Sequence, residues 1–340
     1  MLELYKNLAG KVMTVCGSIE PEEMGSVMMH EHIHGNCFTD DEEPTPPEQV
    51  VLLEKWSKPH LKRLHNFGCH TLVDCTTPPK RGWPDVYQNV TEFSGVHIVK
   101  CTGVYREIEI GTYYATDEHR AIWHFARRSS QEELEAFMLD EFENGMHGTG
   151  VRPGVIKLGS SDEEFTPTEA KAFRAGAAVW KETGVHITTH CGNRDCPRAH
   201  IDLLEKEGVD PRRVVIGHTQ VYMVDYPRKT RELFKRGAVF CPTNLRMDGD
   251  WDWIKNLVNS IRQLFQEGYG DNIVLGLDSY VGGSEVDPAL YGPAEYLPPP
   301  PFVYMFDYTL PRFRKLGLEE EAIEQMMVIN PKRIVPIQVT

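Results

Sequence analysis

Along the 340-residue chain, short apolar runs alternate with longer stretches in which apolar residues recur every three or four positions. The short runs are SVMMHEH (26–32), TLVDCT (71–76), HIVKCTGVY (97–105), GVIKLGS (154–160), VHITTHCG (185–192), RVVIGHTQ (213–220), AVFCPT (238–243) and NIVLGLDSY (272–280). Each is only a few residues long, rich in β-branched side chains and bounded by Gly, Pro or Asp. That is the pattern of a strand buried on both faces in a parallel sheet. KVMTV (11–15) precedes them and reads as part of a hairpin.

The stretches between the runs carry helix signals. Ser130 begins SQEE and Thr166 begins TPTE, each with Glu three residues after the cap, as in a capping box. Pro167 falls on the first helical position, where its missing N–H costs little. After Trp251, apolar Ile254, Leu257, Val258, Ile261, Leu264 and Phe265 recur at helical spacing. Three helices should stop on glycine, at ETG before 185, KEG before 209 and KRG before 238. The helix near 46–68 contains Pro59 and is expected to break there.

Eight βα units in series with no long linker predict an α/β protein, a (β/α)8 TIM barrel with a short N-terminal β-hairpin, formed as one domain over residues 1–340. A doubly wound open sheet is the main rival. It would carry a glycine-rich phosphate turn after its first strand, where this chain has HEHIHG. Two connections are unusually long, 106–129 and the Gly/Pro/Tyr-rich 281–301, and loops of that length usually serve function.

Charge narrows the partners. With 36 basic and 50 acidic residues the net charge is −14 and no basic run appears, so nucleic acid and anionic membrane surfaces are poor candidates. No stretch approaches the roughly 20 apolar residues of a membrane span. The N-terminus MLELYKNLAGKVMTV lacks the apolar run of a signal peptide, and a cytoplasmic location is expected. Cys69, Cys75, Cys101 and Cys241 sit in or beside strand-like runs, as small buried hydrophobes would. Cys191 and Cys196 can in principle pair or bind metal, but a lone CxxxxC is weak evidence for either.

Candidate chemistry gathers at the C-terminal ends of the strand-like runs: His30 and His32, Lys157, His190, His218 and Asp278. In a barrel that end carries the active site. Counting back by twos from His30, Lys157, His190, His218 and Asp278 gives Met28, Val155, Thr188, Ile216 and Gly276, the apolar or small residues a barrel interior requires. His30 and His32 then point the same way, while Glu31 between them faces outward. Taken singly, an HxH, a strand-end His, a Lys or an Asp each has an ordinary structural reading. Their convergence on five strand ends has none. Imidazoles with carboxylate oxygens suit borderline divalent ions, zinc first, with manganese, cobalt or iron also admissible.

GSVMMHEHIHG, VIKLGS, ITTHCG, VVIGHTQ, VLGLDS and the closing NPKRIV together resemble the phosphotriesterase family of the amidohydrolase superfamily, from about residue 11 to 335. The resemblance implies that His30, His32 and Asp278 hold a more buried metal and that His190 and His218 hold a second. Lys157, as a carbamate, would bridge the two ions. It also implies a homodimer acting on a small-molecule substrate. Two divalent ions lower the pKa of a bridging water enough to supply hydroxide near neutral pH. Asp278 can take up the proton and pass it toward the leaving group.

Hydrolysis of a lactone or other carboxylic ester is the leading expectation from the resemblance, with phosphotriester and amide hydrolysis on the same centre behind it. A non-catalytic ligand-binding barrel predicts a damaged ligand set, and none is evident. A structural zinc protein built from the cysteines lacks the tight Cys spacing it would need. Tyr105, in TGVY, resembles the tyrosine that lactonases of this family place beside the metals; core packing is the other reading. Glu107 stands where those lactonases carry a second tyrosine, which counts against an acyl-homoserine lactone; a sugar lactone or another small polar substrate fits as well. Arg246, in PTNLRMD, either binds an anionic substrate group or makes a surface salt bridge. His34 is read as a loop or supporting residue, and His60, His65 and His200 as helical residues without a catalytic role. Among residues of the 281–301 connection, Tyr291 and Tyr296 stand beside acidic Glu285, Asp287 and Glu295.

Overall fold

The computed structural model describes residues 1–34, 44–78, 81–107, 122–192, 195–245, 251–281 and 302–339. A short helix α1 (Glu3–Asn7) leads into β1 (Val12–Thr14), which pairs antiparallel with β2 (Gly17–Ile19) across a two-residue turn. The parallel strands are β3 (Val27–His34), β4 (Thr71–Asp74), β5 (His97–Val104), β6 (Val155–Ser160), β7 (His186–Cys191), β8 (Val214–Gly217), β9 (Val239–Cys241) and β10 (Tyr280–Val281). Each of β3 to β8 pairs parallel with the next, and β10 pairs with β3 on its other side. The helices between strands are α2 (Pro47–Asn66), α3 (Pro84–Ser94), α4 (Ile122–Arg128), α5 (Gln131–Asn144), α6 (Pro167–Thr183), α7 (Cys196–Lys206), α8 (Gln220–Asp225), α9 (Pro227–Arg236) and α10 (Trp251–Gln266). No helix among the described residues is long and apolar enough to cross a membrane.

Backbone hydrogen bonds of residues 273–279 close the sheet into a barrel. On one side Val274 N donates to Phe240 O (2.9 Å). On the other, Met29 N donates to Leu275 O (2.9 Å) and His32 N to Ser279 O (2.7 Å). The open-sheet alternative is thereby excluded. The eighth strand is less regular than NIVLGLDSY promised, because Asp278 takes a left-handed φ of 58° and interrupts the ladder. Similarly, the sixth run leaves strand geometry after Gly217, and Gln220 already opens α8.

Two apolar layers follow from the ladders. Val27, Met29, Val73, Cys75, Val99, Cys101, Val155, Val215, Val239, Cys241 and Val274 fill the interior, with Val12, Met24, Ile334 and Val335 packed among them. The opposite strand faces, including Leu72, Ile98, Ile156 and Ile187, meet the helices in the larger cluster. The period-two count holds for Val155, Thr188 and Gly276. It fails for Met28 and Ile216, which both face the helices. Against β4, Met28 pairs with Leu72 but Glu31 already pairs with Asp74, so β3 contains an extra residue and shifts phase. His218 lies past the end of β8 at φ 61°, where alternation no longer applies.

Local helix signals are realised. Ser130 and Thr166 accept from the backbone N–H of Glu133 and Glu169 (3.1 Å each), and both glutamates bond back to the cap. Gly184 and Gly237 end α6 and α9 at φ 67° and 103°. Pro59 does not break α2, which runs unbroken for 20 residues. A helix-interior proline removes one hydrogen bond, but Leu61 and Leu64 beyond it are fully buried, and their packing keeps that half helical. Ile254, Leu257, Val258, Ile261 and Leu264 form the buried face of α10.

Candidate active site

The phase shift in β3 and the left-handed turns at His218 and Asp278 carry their side chains to the barrel mouth, where β6 and β7 deliver Lys157 and His190. His32 Nε2 lies 3.0 Å from Asp278 Oδ1, and His30 Nε2 lies 3.8 Å from the same oxygen. Asp278 Oδ2 is 3.9 Å from His218 Nδ1. Lys157 Nζ is 3.0 Å from His30 Nε2. The His218 ring centre stands 4.9 Å from that of His30 and 4.3 Å from that of His190. All six side chains expected at the centre therefore converge. One donor atom from each of His30, His32 and Asp278 lies within 4.8 Å of the others, which is close enough to share one ion.

Two glycines make room for the His30 ring. A Cβ on Gly217 would approach His30 Nδ1 and Cε1 to 2.6 Å, and one on Gly276 would lie 2.9 Å from His30 Cβ. Hydroxyls orient the other imidazoles: Thr76 Oγ1 is 2.8 Å from His32 Nδ1, and Thr243 Oγ1 is 2.8 Å from His218 Nδ1. Fixing one ring nitrogen leaves the other directed at the mouth. Buried His30 Nδ1 has no hydrogen-bond partner among the described residues.

Electrostatics leave His30, His190, His218 and Asp278 in the protonation states a cation needs. Burial, then the Lys157 charge, holds His30 well below the ordinary imidazole range. Burial and neighbouring His218 do the same for His190. Burial lowers His218 to about 4, against the opposing pull of Asp278. Burial works to raise Asp278, but His218 and His32 outweigh it and keep the carboxyl well below its usual range. Neutral imidazoles beside an ionised carboxylate are what a divalent metal requires, so these residues fit such an ion. Lys157 is 1% exposed, and no carboxylate among the described residues lies within ion-pair distance of it.

Residues beyond the strand-end pattern support the site. Glu31 faces away from the interior as expected, yet its carboxylate reaches the closing segment. One oxygen accepts from Leu277 N (2.6 Å) and the other from Ser279 N (2.8 Å), bracketing Asp278. Asp74, fully buried, accepts from Ile33 N (2.6 Å) and from the ammonium of Lys100 (2.5 Å), which pins the end of β3 to β4. Charged residues on the outer strand faces gave no periodic signal of these roles.

Tyr105 stands beside the centre, its hydroxyl 3.4 Å from His190 Nδ1 and its ring edge-on to the imidazole at 5.0 Å. Glu107 is engaged elsewhere: Arg127 Nε and the Thr168 hydroxyl donate to it at 2.7 and 3.2 Å. His200 is buried in α7 against Ser160 and Thr189, and His60 and His65 lie on α2. Cys191 and Cys196 are buried and form no disulfide. Strand β3 extends through His34. Arg246 and the acidic and tyrosine residues at 285–296 lie outside the described residues. Beside His218 opens a cavity of about 310 Å³, lined by Cys191, Pro197, Val221, Tyr222 and Tyr226 among others.

A closed parallel barrel with an imidazole–carboxylate cluster at its C-terminal mouth defines a barrel hydrolase with a candidate metal centre. The chain belongs to the phosphotriesterase family, whose sequence profile matches residues 10–335. Among its relatives, N-acetyltaurine hydrolase of Salmo salar is 26% identical, with 96% of this chain and 98% of that protein aligned. Aryldialkylphosphatase of Saccharolobus solfataricus is 26% identical over 93% and 96%. The organophosphorus hydrolase of Deinococcus radiodurans superposes with a TM-score of 0.76 at 28% identity, covering 96% of this chain and 97% of that one. A variant of a PTE-like lactonase from the same organism gives 0.76 at 28%, over 95% and 99%.

Proposed function

We propose that this protein is a binuclear metal-dependent hydrolase that cleaves a lactone or another carboxylic ester. The observation that carries the reading is the convergence of His30, His32, Lys157, His190, His218 and Asp278 at one mouth of the barrel, where burial favours the neutral form of His30, His190 and His218 and the neighbouring imidazoles favour the ionised Asp278. His30, His32 and Asp278 would hold one ion, and His190 and His218 the other, with zinc the best match to this donor set. Lys157, as a carbamate, would supply an anionic ligand to both. Its neutral amine adds CO2 and releases a proton, which turns a buried lysine with no carboxylate partner among the described residues into an anionic ligand. When bound, two divalent ions lower the pKa of a shared water and polarise the acyl oxygen.

The residues supply positioning and proton transfer. Asp278 Oδ2 accepts the proton lost by the attacking water and delivers it toward the leaving oxygen. The Tyr105 hydroxyl donates to an oxygen of the acyl group, and the cavity beside His218 is of a size to take a small ligand. Purified, zinc-loaded protein should hydrolyse members of a panel of lactones and simple esters. Asp278→Asn should lower turnover at least about 100-fold while much of the metal stays bound. A metal-replete enzyme that ignored every lactone and ester would refute the substrate assignment. A wild type whose turnover equalled that of Asp278→Asn would favour a ligand-binding barrel. The relatives named N-acetyltaurine hydrolase support a second reading, amide hydrolysis, and the aryldialkylphosphatase supports phosphotriester hydrolysis. An amide and a phosphotriester therefore belong in the same panel.

A further inference from the structure

Arg106 lies where the chain leaves β5 and is 8% exposed. Its guanidinium carbon stands 5.4 Å from the centre of the Tyr105 ring, and that ring meets His190 edge-on at 5.0 Å. A Cβ on Gly159, the ladder partner of His190, would lie 3.1 Å from Arg106 N, so this turn is laid directly across the strand position beside His190. The charge is felt at the centre. Behind burial and nearer neighbours, it helps to hold both His190 and His218 low.

Other buried arginines in this fold are supplied with partners. Arg81 forms a bidentate pair with Glu141, and Arg213 donates to the carbonyls of Gly184, Ile334 and Pro336. Arg106 is different. Its Nε, like that of Arg213, is buried without a hydrogen-bond partner, but here no acceptor and no carboxylate among the described residues pairs with any nitrogen of the guanidinium. A desolvated cation without a counter-charge among the described residues is costly, and a ring contact with Tyr105 alone does not neutralise it.

We propose that Arg106 binds an anionic group of the substrate, a carboxylate or a sulfonate, one aromatic ring away from the acyl centre at His190. The planar fork of Arg suits a carboxylate or sulfonate through paired hydrogen bonds, and Tyr105 braces the guanidinium through its ring face. The substrate class is then an acyl compound (ester, lactone or amide) with a short linker between the scissile bond and an oxyanion. Neutral phosphotriesters and unsubstituted lactones lack that group. This assignment rests on the hydrolase reading for substrate turnover, but it makes a separate claim about binding.

The test uses metal-loaded wild type, Arg106→Gln and Arg106→Lys. Calorimetry would measure binding of N-acetyl-β-alanine and N-acetyltaurine against the neutral N-acetyl-β-alaninamide. Turnover would be compared between mono-4-nitrophenyl succinate and neutral 4-nitrophenyl acetate. Wild type should bind at least one anionic probe tenfold or more tightly than the amide. Arg106→Gln should cut that preference, and the ratio of kcat/KM for the two esters, about tenfold or more, chiefly through KM. Arg106→Lys should fall between, since it keeps the charge and loses the fork. If Arg106→Gln fails to fold, the lysine variant and the wild-type preference decide. Equal wild-type affinity for charged and neutral probes would overturn the proposal. So would an anionic preference that persists without the guanidinium, since that would place the anion on the metals alone. Wild type that hydrolyses neither ester but loses anion binding on Arg106→Gln would refute the hydrolase reading and leave the anion site standing.

Discussion

Replacing Glu31 tests how the barrel holds Asp278 in place. Asp278 sits at φ 58° in the segment that closes the sheet, with its N–H bonded to His30 O at 2.9 Å. The flanking N–H groups of Leu277 and Ser279 have no carbonyl in register and donate to the two oxygens of the fully buried Glu31 carboxylate. In Glu31→Gln one oxygen remains and an NH2 group faces a backbone N–H. The change removes one hydrogen bond to a charged acceptor and leaves a buried donor unsatisfied, for a loss of about 3 kcal/mol. At about 2.1 cal/mol/K of unfolding entropy per residue, a chain of this length loses roughly 4 °C of melting temperature for that amount. Metal retention is the more telling readout, because a loosened Asp278 removes one of the three ligands of the His30–His32–Asp278 group. Thermal denaturation, with metal content measured after dialysis, should show both losses. A Glu31→Gln protein that melts within one degree of wild type and keeps its full metal would refute the reasoning.

Other consequences are as direct. Stripping the protein with a chelator should abolish hydrolysis and lower the melting temperature, and zinc should restore both; activity that survives complete stripping would rule out the metal assignment. Thr76→Val and Thr243→Val remove the hydroxyls that orient His32 and His218, and each should weaken metal binding about 10- to 100-fold, measured by competition with a chromogenic chelator. His186 and His200 are fully buried, and burial lowers both to about 3. The unfolded chain, with imidazoles near 6.5, therefore binds more protons than the folded one at intermediate pH. The stability these residues contribute is complete above about pH 6.5 and is lost as pH falls, by about 1.4 kcal/mol per pH unit for each. Urea denaturation at pH 7, 6 and 5 should show this slope and a shallower one in His200→Gln; an unchanged slope would contradict it.

The sequence by itself determined the succession of strands and helices, the caps at Ser130 and Thr166, and the six candidate ligands. Those features depend on local periodicity and on which residue stands at a strand's end. The tertiary structure decided how the side chains are aimed. An extra residue in β3 puts Met29 rather than Met28 in the interior, and left-handed turns at His218 and Asp278 replace simple alternation. Long-range partners were equally invisible: Glu31 bonds residues almost 250 positions away, and α2 stays whole across Pro59 because its buried face is packed. Arg106 follows the same logic. In the sequence it is one charged residue in YREIE, and only its burial beside Tyr105, without a counter-charge among the described residues, marks it out. Local pattern fixes which groups are available; closure of the barrel fixes which of them face each other, because that depends on backbone bonds between distant segments.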